Sequence, residues 1–151
     1  MDDATVTLRR ADESALEDVE TLLAENDLPS ADVRTSSARF YVGFDGDERV
    51  GIGGLERYGT DGLLRSVVVE RSVRGNGYGT ALCDALERRA RADGLETLYL
   101  LTTTAAGFFA GRGCEELERS DAPAAIRETT QFDELCPASA TCMRTSLRNQ
   151  S

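Results

Sequence analysis

The sequence predicts one domain of the α/β (α+β) class. With 151 residues, 40% hydrophobic and 29% charged, the chain is long enough for a single core and has the composition of a folded soluble domain. Segments with the two-residue period of strands alternate with segments of helical period. Residues 63–69 form a nearly continuous apolar run, as expected of a central strand buried on both faces. We therefore assign residues 1–151 to one domain.

Three segments of the N-terminal half alternate apolar and polar residues and are predicted strands: 5–11, 40–44 and 49–57. The last two are joined by Asp45-Gly46-Asp47, whose Asp-Gly pair predicts a β-hairpin. After the first strand, Asp12 and Ser14 are candidate N-caps of a helix that should end near residues 26–29. A weaker helix is predicted over residues 30–37.

The C-terminal half continues the alternation. The strand at 63–69 precedes a glycine-rich loop at 74–79 and a helix for which Gly94 is a natural C-terminal cap. A short helix through residues 108–109 and a longer one over 124–135 are also predicted. The remaining strands are expected at 97–102, 115–119 and 140–147.

The basic residues exclude several kinds of enzyme. All 17 are arginine, and the chain has neither lysine nor histidine. Without histidine there is no Ser-His-Asp triad and no HExxH zinc site. Without lysine there is no Walker A lysine and no Schiff base to pyridoxal phosphate. Catalysis must use carboxylates, hydroxyls, thiols, backbone amides or a bound cofactor.

A net charge of −10 argues against nucleic acid and anionic membranes as partners. Together with the absence of lysine it predicts a halophilic protein whose self-repulsion is screened by salt; the alternative is a GC-rich genome at ordinary salt. No stretch approaches the roughly 20 apolar residues of a membrane helix and no signal-peptide core is visible, so a cytoplasmic location is predicted. Four cysteines without CxxC spacing predict free thiols, and no metal site is expected.

The glycine-rich loop is a candidate anion site. Gly75, Gly77 and Gly79 let the backbone approach a ligand, and the helix that follows offers unpaired N–H groups at its positive end. A dinucleotide-binding GxGxxG motif starting at Gly75 is excluded because position 80 is Thr80. The alternative is a tight turn that needs glycine for steric reasons.

Arg74, Gly77 and Gly79 match the motif Arg/Gln-x-x-Gly-x-Gly/Ala, and in this the chain resembles the GNAT superfamily of acyl-CoA N-acyltransferases. The resemblance implies a mixed, mostly antiparallel central sheet of about six to seven strands flanked by helices. It also implies that acetyl-CoA is the acyl donor. The backbone of the central strand should pair with the pantetheine arm, and the loop amides should hold the coenzyme A pyrophosphate. The residues implied are Val67, Val68, Val69, Arg74, Gly75, Asn76, Gly77, Tyr78, Gly79 and Thr80.

The second motif of this superfamily, Asn-x-x-Ala-x-x-Leu-Tyr followed by Gly-Phe, aligns with residues 102–114. Thr102 replaces the asparagine that usually contacts pantetheine and can still donate one hydrogen bond. Phe109 replaces the tyrosine that in many relatives protonates the departing thiolate. Water, another residue or unaided departure must then replace that acid, unless the chain binds acetyl-CoA without turning it over. Tyr58 and Tyr99 are the candidate substitutes, with a purely structural role as the alternative.

Acetyl transfer needs a proton acceptor and a polarised carbonyl. The backbone N–H near Val68 is the expected carbonyl donor. Glu56 ends the apolar stripe of its strand and is our candidate base, with a solvated strand-end glutamate as the alternative. Arg65, in an otherwise apolar strand, is a candidate for binding a substrate carboxylate or arsenical oxyanion; an internal salt bridge to Glu56 or another acid is equally open. Arg71, with Arg74, is expected to offset the coenzyme phosphates.

Four longer strings resemble the arsenic-resistance N-acetyltransferase branch of the superfamily: 54–59, 98–104, 122–126 and 135–140. Cys136 and Cys142 therefore suggest thiolate binding of a metalloid, although their spacing matches no standard site and burial is the simpler explanation. Phe108, Phe109 and Phe132 are expected to line an acceptor pocket beside the 124–135 helix, or to be core residues.

The leading functional hypothesis is N-acetylation of a small-molecule amine, with an amino-acid-like arsenical as the specific candidate. The alternatives are a non-catalytic acyl-CoA-binding module and a protein N-acetyltransferase. A homodimer is left open.

Overall fold

One mixed sheet organises the computed structural model, which describes residues 6–26, 33, 38–73, 75, 77–102, 105–128 and 140–147. Within these residues the strands are β1 (Thr7–Arg10), β2 (Arg39–Asp45), β3 (Glu48–Tyr58), β4 (Asp61–Val69), β5 (Thr97–Thr102), β6 (Glu115–Leu117) and β7 (Thr141–Ser146). Their order in the sheet is β1-β2-β3-β4-β5-β7-β6, and only β4 and β5 run parallel. The predicted mixed, mostly antiparallel sheet is confirmed.

The helices of the described chain are α1 (Glu13–Glu25), α2 (Tyr78–Ala92), α3 (Ala106–Gly111) and α4 (Ala124–Arg127), with short 3₁₀ turns at Arg71–Val73 and Arg119–Asp121. The predicted N-cap of α1 is confirmed, since a carboxylate oxygen of Asp12 accepts from the Ala15 amide at 2.9 Å. That bond is the main reason the pKa of Asp12 is lowered. No described helix is long and apolar enough to cross a membrane.

The predicted β2–β3 hairpin is confirmed. Asp45 pairs with Glu48, so the turn consists of Gly46 and Asp47, and Gly46 has the positive φ of 63° that such a turn requires. The strand predicted over 115–119 ends at Leu117, because the chain turns into the 3₁₀ segment that follows. The helix predicted over 124–135 is described only as α4, whose C-cap is Glu128. Most of the helix predicted over 30–37 lies outside the described residues.

The two faces of the sheet carry separate cores. Consecutive β2 residues point to opposite faces: Tyr41 joins the cluster under α2, whereas Phe40 and Val42 join the cluster under α1. A third cluster, on the side of α4, contains Leu63, Tyr99, Ala122, Ile126 and Cys142.

Glycine allows α2 to lie close to the sheet. A Cβ on Gly53 would lie 2.5 Å from Leu86 Cδ1, and one on Gly51 would lie 2.9 Å from Leu82 Cδ2. At position 51 the added Cβ would also lie 2.5 Å from the backbone carbonyl oxygen of Val68, so this position requires glycine, whereas a side chain at position 53 would displace the Leu86 side chain. The two glycines thus allow α2, with the loop at its N-terminus, to pack closely against β3.

Candidate active site

The two central parallel strands separate soon after they pair. Their register covers three residue pairs, from Asp61↔Thr97 to Leu63↔Tyr99. Beyond this stretch β4 continues to Val69, while β5 continues to Thr102 paired with β7 on its other side. No described strand pairs with the β5 side of residues 64–69. The gap therefore offers a place where an extended ligand arm can bind as an added strand.

A β-bulge lies inside this gap. Ile52 pairs with Val68, but Gly54 pairs with Arg65, so Ser66 and Val67 together oppose Gly53. Ser66 has a φ of 60°, a left-handed conformation that is unfavourable for a residue with a side chain by roughly 1–2 kcal/mol. The bulge breaks the regular alternation of β4 where Val67, Val68 and Val69 border the gap. The period-two pattern of β4 does not predict this bulge, because the bulge depends on how β3 and β4 pair with each other in the fold.

The glycine-rich loop connects the end of β4 with α2. Gly77 is the N-cap of α2 with a φ of 82° and has no side chain with which to cap the helix, and Gly75 has a φ of 86° with open space where a Cβ would be. The first N–H groups of the helix, on Tyr78, Gly79 and Thr80, are of the kind that no intrahelical carbonyl satisfies. The backbone is thus accessible to an anion. Arg74 and Asn76 lie outside the described residues.

Two loop residues have side-chain roles that the sequence did not suggest. The hydroxyl of Tyr78 donates to Asp45 at the β2–β3 turn, and this hydrogen bond raises the pKa of Tyr78, so the phenol stays neutral. Arg71 donates to the backbone carbonyl of Glu25 at the end of α1, at 3.3 Å. Both contacts fix the ends of the loop to neighbouring elements.

Helix α3 presents two phenylalanines in different surroundings. Phe109 is 8% exposed and belongs to the core under α2, whereas Phe108 is 40% exposed. A Cβ on Gly79 would lie 3.8 Å from both Phe108 and Val69, so the Phe108 ring borders the first turn of α2 and the end of β4. The two rings meet edge to face at 5.1 Å. Thr102 accepts the Ala105 amide through Oγ1 at 3.0 Å and keeps its hydroxyl proton for donation.

A single arginine ties α3 to α2. Arg112, just after α3, donates from Nη2 to Asp84 at 2.9 Å and to Glu87 at 2.8 Å, and from Nη1 to the Thr80 carbonyl at 3.3 Å. Its guanidinium also lies 6.0 Å from the centre of the Phe108 ring. Both acids thus pair with an arginine outside their own helix, which helical spacing along α2 could not predict.

The opposite face of the sheet carries a buried charged cluster. Arg65 Nη1 lies 3.0 Å from Glu56 Oε2, and their side chains are 0% and 4% exposed. The hydroxyl of Tyr58 donates to Glu56 Oε1, and the Arg65 Nε donates to Ser66 Oγ at 3.1 Å. Of the two roles open to Arg65 in the sequence, the structure therefore shows the internal salt bridge to Glu56.

The cluster borders the gap through its neighbours. The Arg65 guanidinium stacks over Phe40 at 5.3 Å, and Arg65 itself directly precedes the bulge. Glu56 pairs in register with Leu63, the last β4 residue that also pairs with β5. The cluster is thus next to the point at which β4 and β5 separate, on the face away from α2.

Cys142 is buried in the α4 cluster, and burial raises the pKa of its thiol. Its predicted partner Cys136 lies outside the described residues, as does Phe132. Among the residues that the structure describes, no three His, Cys, Asp or Glu side chains converge as a metal site. Tyr99 is 7% exposed and pairs in register with Arg144 on β7, whose pKa is raised first by Glu115 and then by Tyr99.

The sequence profile of the acetyltransferase (GNAT) family matches residues 4–114, which include the gap, the bulge and the glycine-rich loop. The chain belongs to the GNAT acetyltransferase family. An amino-acid acetyltransferase of Pseudomonas fluorescens (strain Pf0-1) is 42% identical over 64 residues, which are 42% of this GNAT chain and 15% of that relative. The GNAT chain therefore spans only a small part of the length of this curated relative.

Solved structures share the fold of this GNAT chain. N-acetylglutamate synthase from Neisseria gonorrhoeae, complexed with coenzyme A and N-acetyl-glutamate, gives a TM-score of 0.77 at 20% identity, over 97% of this chain and 36% of that one. A Mycobacterium tuberculosis protein in complex with CoA gives 0.74 at 24% identity, over 93% and 98% of the two chains.

Proposed function

We propose that this GNAT chain transfers an acetyl group from acetyl-CoA to the amine of an amino-acid-like small molecule. The observation that carries the proposal is the gap between β4 and β5, with a bulge in its wall and a glycine-capped helix N-terminus at its end. An open strand edge fits an amide-containing arm, and the helix N-terminus fits a pyrophosphate. The open space beside Gly75 leaves room for close approach of that anion.

In this proposal each wall of the gap has a part. The backbone of Val67, Val68 and Val69 holds the pantetheine arm, with a backbone N–H next to Val68 polarising the thioester carbonyl. The amides of residues 75–80, with Arg74, hold the pyrophosphate. Thr102 donates to the arm from the β5 side, while Phe108 and Phe109 form the apolar wall. Acetyl-CoA, when bound, supplies the thioester whose carbonyl carbon the amine attacks.

The proposed proton acceptor is Glu56, reached through Tyr58. The carboxylate itself is only 3% exposed, but the half-buried Tyr58 hydroxyl donates to it. A proton taken from the amine by the Tyr58 oxygen can pass to Glu56 as the hydroxyl releases its own. Arg65 holds the carboxylate in place and supplies the balancing charge. The departing sulfur takes its proton from water, since Phe109 has no proton to give.

Thiol release from acetyl-CoA against a panel of amines tests this function. The panel contains amino acids, an amino-acid-like arsenical, polyamines and peptides, at low and high KCl. Faster turnover of amino acids than of polyamines or peptides is expected, and the arsenical is the specific candidate suggested by the four strings that resemble the arsenic-resistance branch. Preference for peptides would favour the protein-modifying alternative.

Glu56→Gln keeps the side-chain volume and removes the base, so kcat should fall by about 10²–10⁴-fold, with KM for acetyl-CoA little changed. Tyr58→Phe should lower kcat in the same way. Glu115→Gln is the matched control, because it removes a carboxylate that is 65% exposed on β6. Normal turnover of Glu56→Gln across the pH range would remove Glu56 from the mechanism.

The second candidate function is a non-catalytic acyl-CoA-binding module, favoured by Phe109 in place of a general acid. Tight binding of acetyl-CoA with no thiol release for any amine would establish it. A cytoplasmic location, adaptation to high salt and a homodimer complete the proposal. The sequence features that support the adaptation to high salt are the lysine-free composition and the net charge of −10.

A further inference from the structure

A cavity of about 350 Å³ lies between the edge of the sheet and the C-terminal half of α2. Its lining includes Arg10 from β1, Tyr41 from β2, and Ala85, Arg88 and Arg89 from α2. At 1.5 Å per helical residue, Arg89 is roughly 16 Å along the helix from Tyr78, so this cavity is separate from the glycine-rich loop.

Regular geometry brings these side chains together. Arg10 is the cross-strand partner of Tyr41 and lies on the same face of β1 as Val6 and Leu8, which also line the cavity. Ala85, Arg88 and Arg89 share one side of α2, because residues three and four apart are neighbours on a helix. The small side chain of Ala85 leaves the space that the arginines surround.

Tyr41 at the base of the cavity has an unsatisfied hydroxyl. The residue is 3% exposed, and its phenolic oxygen makes no hydrogen bond with any described residue. Arg89 lies close, with its guanidinium 5.8 Å from the ring centre, but it makes no hydrogen bond with the Tyr41 hydroxyl. A buried hydroxyl without a partner is unfavourable, so a ligand that accepts a hydrogen bond from it would relieve that cost.

The charge of the cavity is opposite to that of the protein. Three arginines line it in a chain of net charge −10, and its described lining contains no acid. Within the described part of the chain, Arg89 alone of the three has a nearby acidic partner, Asp93, at 3.5 Å. The helix dipole favours cations near the C-terminus of α2, which explains Arg88 and Arg89. It does not explain Arg10, which belongs to β1.

We propose that this cavity, which we call the arginine pocket (Arg10, Tyr41, Ala85, Arg88 and Arg89), binds a small molecule through an oxyanion, either a carboxylate or a phosphate. Guanidinium groups bind both anions through paired N–H donors. The Tyr41 hydroxyl donates one further hydrogen bond from the base of the pocket. This site is independent of the proposed acetyl transfer.

Calorimetric titration of the full chain with citrate and with inorganic phosphate, at constant ionic strength set with KCl, tests the pocket. Saturable binding of at least one of them is expected, and the tighter of the two identifies the anion class. Arg10→Gln and Tyr41→Phe should each weaken that binding about tenfold or more, as loss of a charge-assisted hydrogen bond does. Arg9→Gln is the matched control: it makes the same charge change on the other face of β1, where Arg9 stacks over Phe44.

Tyr41→Phe supplies a second readout. Without ligand it should leave the thermal midpoint unchanged or raise it, since it removes the unsatisfied hydroxyl, while it weakens anion binding. Absence of saturable binding by either anion would overturn the proposal, and so would equal weakening by Arg9→Gln and Arg10→Gln, because bulk charge would then explain the effect.

Discussion

Removing one partner of the buried Glu56–Arg65 pair should destabilise the fold much more than removing one partner of an exposed ion pair. Arg65→Met fills a similar volume but leaves the Glu56 carboxylate buried without its cation. Breaking a buried pair in this way is destabilising by about 3–5 kcal/mol, against a total unfolding free energy of about 5–15 kcal/mol. For a chain of this length about 1 kcal/mol corresponds to about 2–4 °C, so the thermal midpoint should fall by roughly 6–20 °C.

The matched control is Arg144→Met, because Arg144 and Glu115 form an ion pair at 2.8 Å whose side chains are 43% and 65% exposed. An exposed pair contributes about 0–1 kcal/mol, so the control should change the midpoint little. Thermal and urea unfolding followed by circular dichroism measure both variants. Molar KCl should weaken the exposed pair and leave the buried one nearly unchanged, because salt does not reach it.

A double-mutant cycle isolates the pair. Glu56→Gln combined with Arg65→Met removes both charges, so the double variant should be less destabilised than the sum of the single changes, with a coupling of roughly 0.5–3 kcal/mol. A loss of less than about 1 kcal/mol in Arg65→Met, equal to that of Arg144→Met, would refute the reasoning and show that water reaches Glu56.

Three further predictions address the loop, a buried thiol and salt. Gly77→Glu should weaken acetyl-CoA binding about tenfold or more, because it places a side chain and a negative charge at the N-terminus of α2. The control is Gly59→Glu, which imposes similar backbone strain and the same charge at a turn with a φ of 68°. Calorimetry should find the affinity of this control for acetyl-CoA unchanged. Burial raises the pKa of Cys83 from 9.0 to about 12, so the unfolded chain releases this proton at lower pH than the folded chain does. The free energy of unfolding should therefore fall as pH rises from 9.0 toward 12, by about 1.4 kcal/mol per pH unit from this group. In urea unfolding Cys83→Ala should lose stability with pH less steeply than the wild type, and an equal slope would contradict the assignment. The thermal midpoint should rise between low salt and molar KCl because screening relieves acidic self-repulsion, whereas an unchanged midpoint would leave genomic composition as the cause of the acidity.

Local chemistry determined the elements that the sequence predicted well. The cap at Asp12 and the turn at Gly46 each depend on residues within a few positions of one another, and so does the αL residue Gly94 that follows α2, with a φ of 89°. The left-handed Ser66 could not be predicted in this way, since nothing in its neighbours favours a bulge and only the register of β3 against β4 reveals it.

The candidate site shows the same limit. Period-two counting placed Glu56 and Arg65 on inward faces of their strands, but it could not choose between an ion pair and a ligand contact, because that depends on the register between β3 and β4. Helical counting likewise did not separate Phe108, which borders the glycine-rich loop, from Phe109 in the core.

The contacts of Arg112 limit how the gap between β4 and β5 can change its width. The loop after β4 leads into α2, and β5 leads into α3, so each helix is connected to the end of one of the two strands. Arg112 joins these two helices through its hydrogen bonds to Asp84, Glu87 and the Thr80 carbonyl. Spreading the strands would require these bonds to break together. The gap between β4 and β5 should therefore keep its width when a ligand enters it.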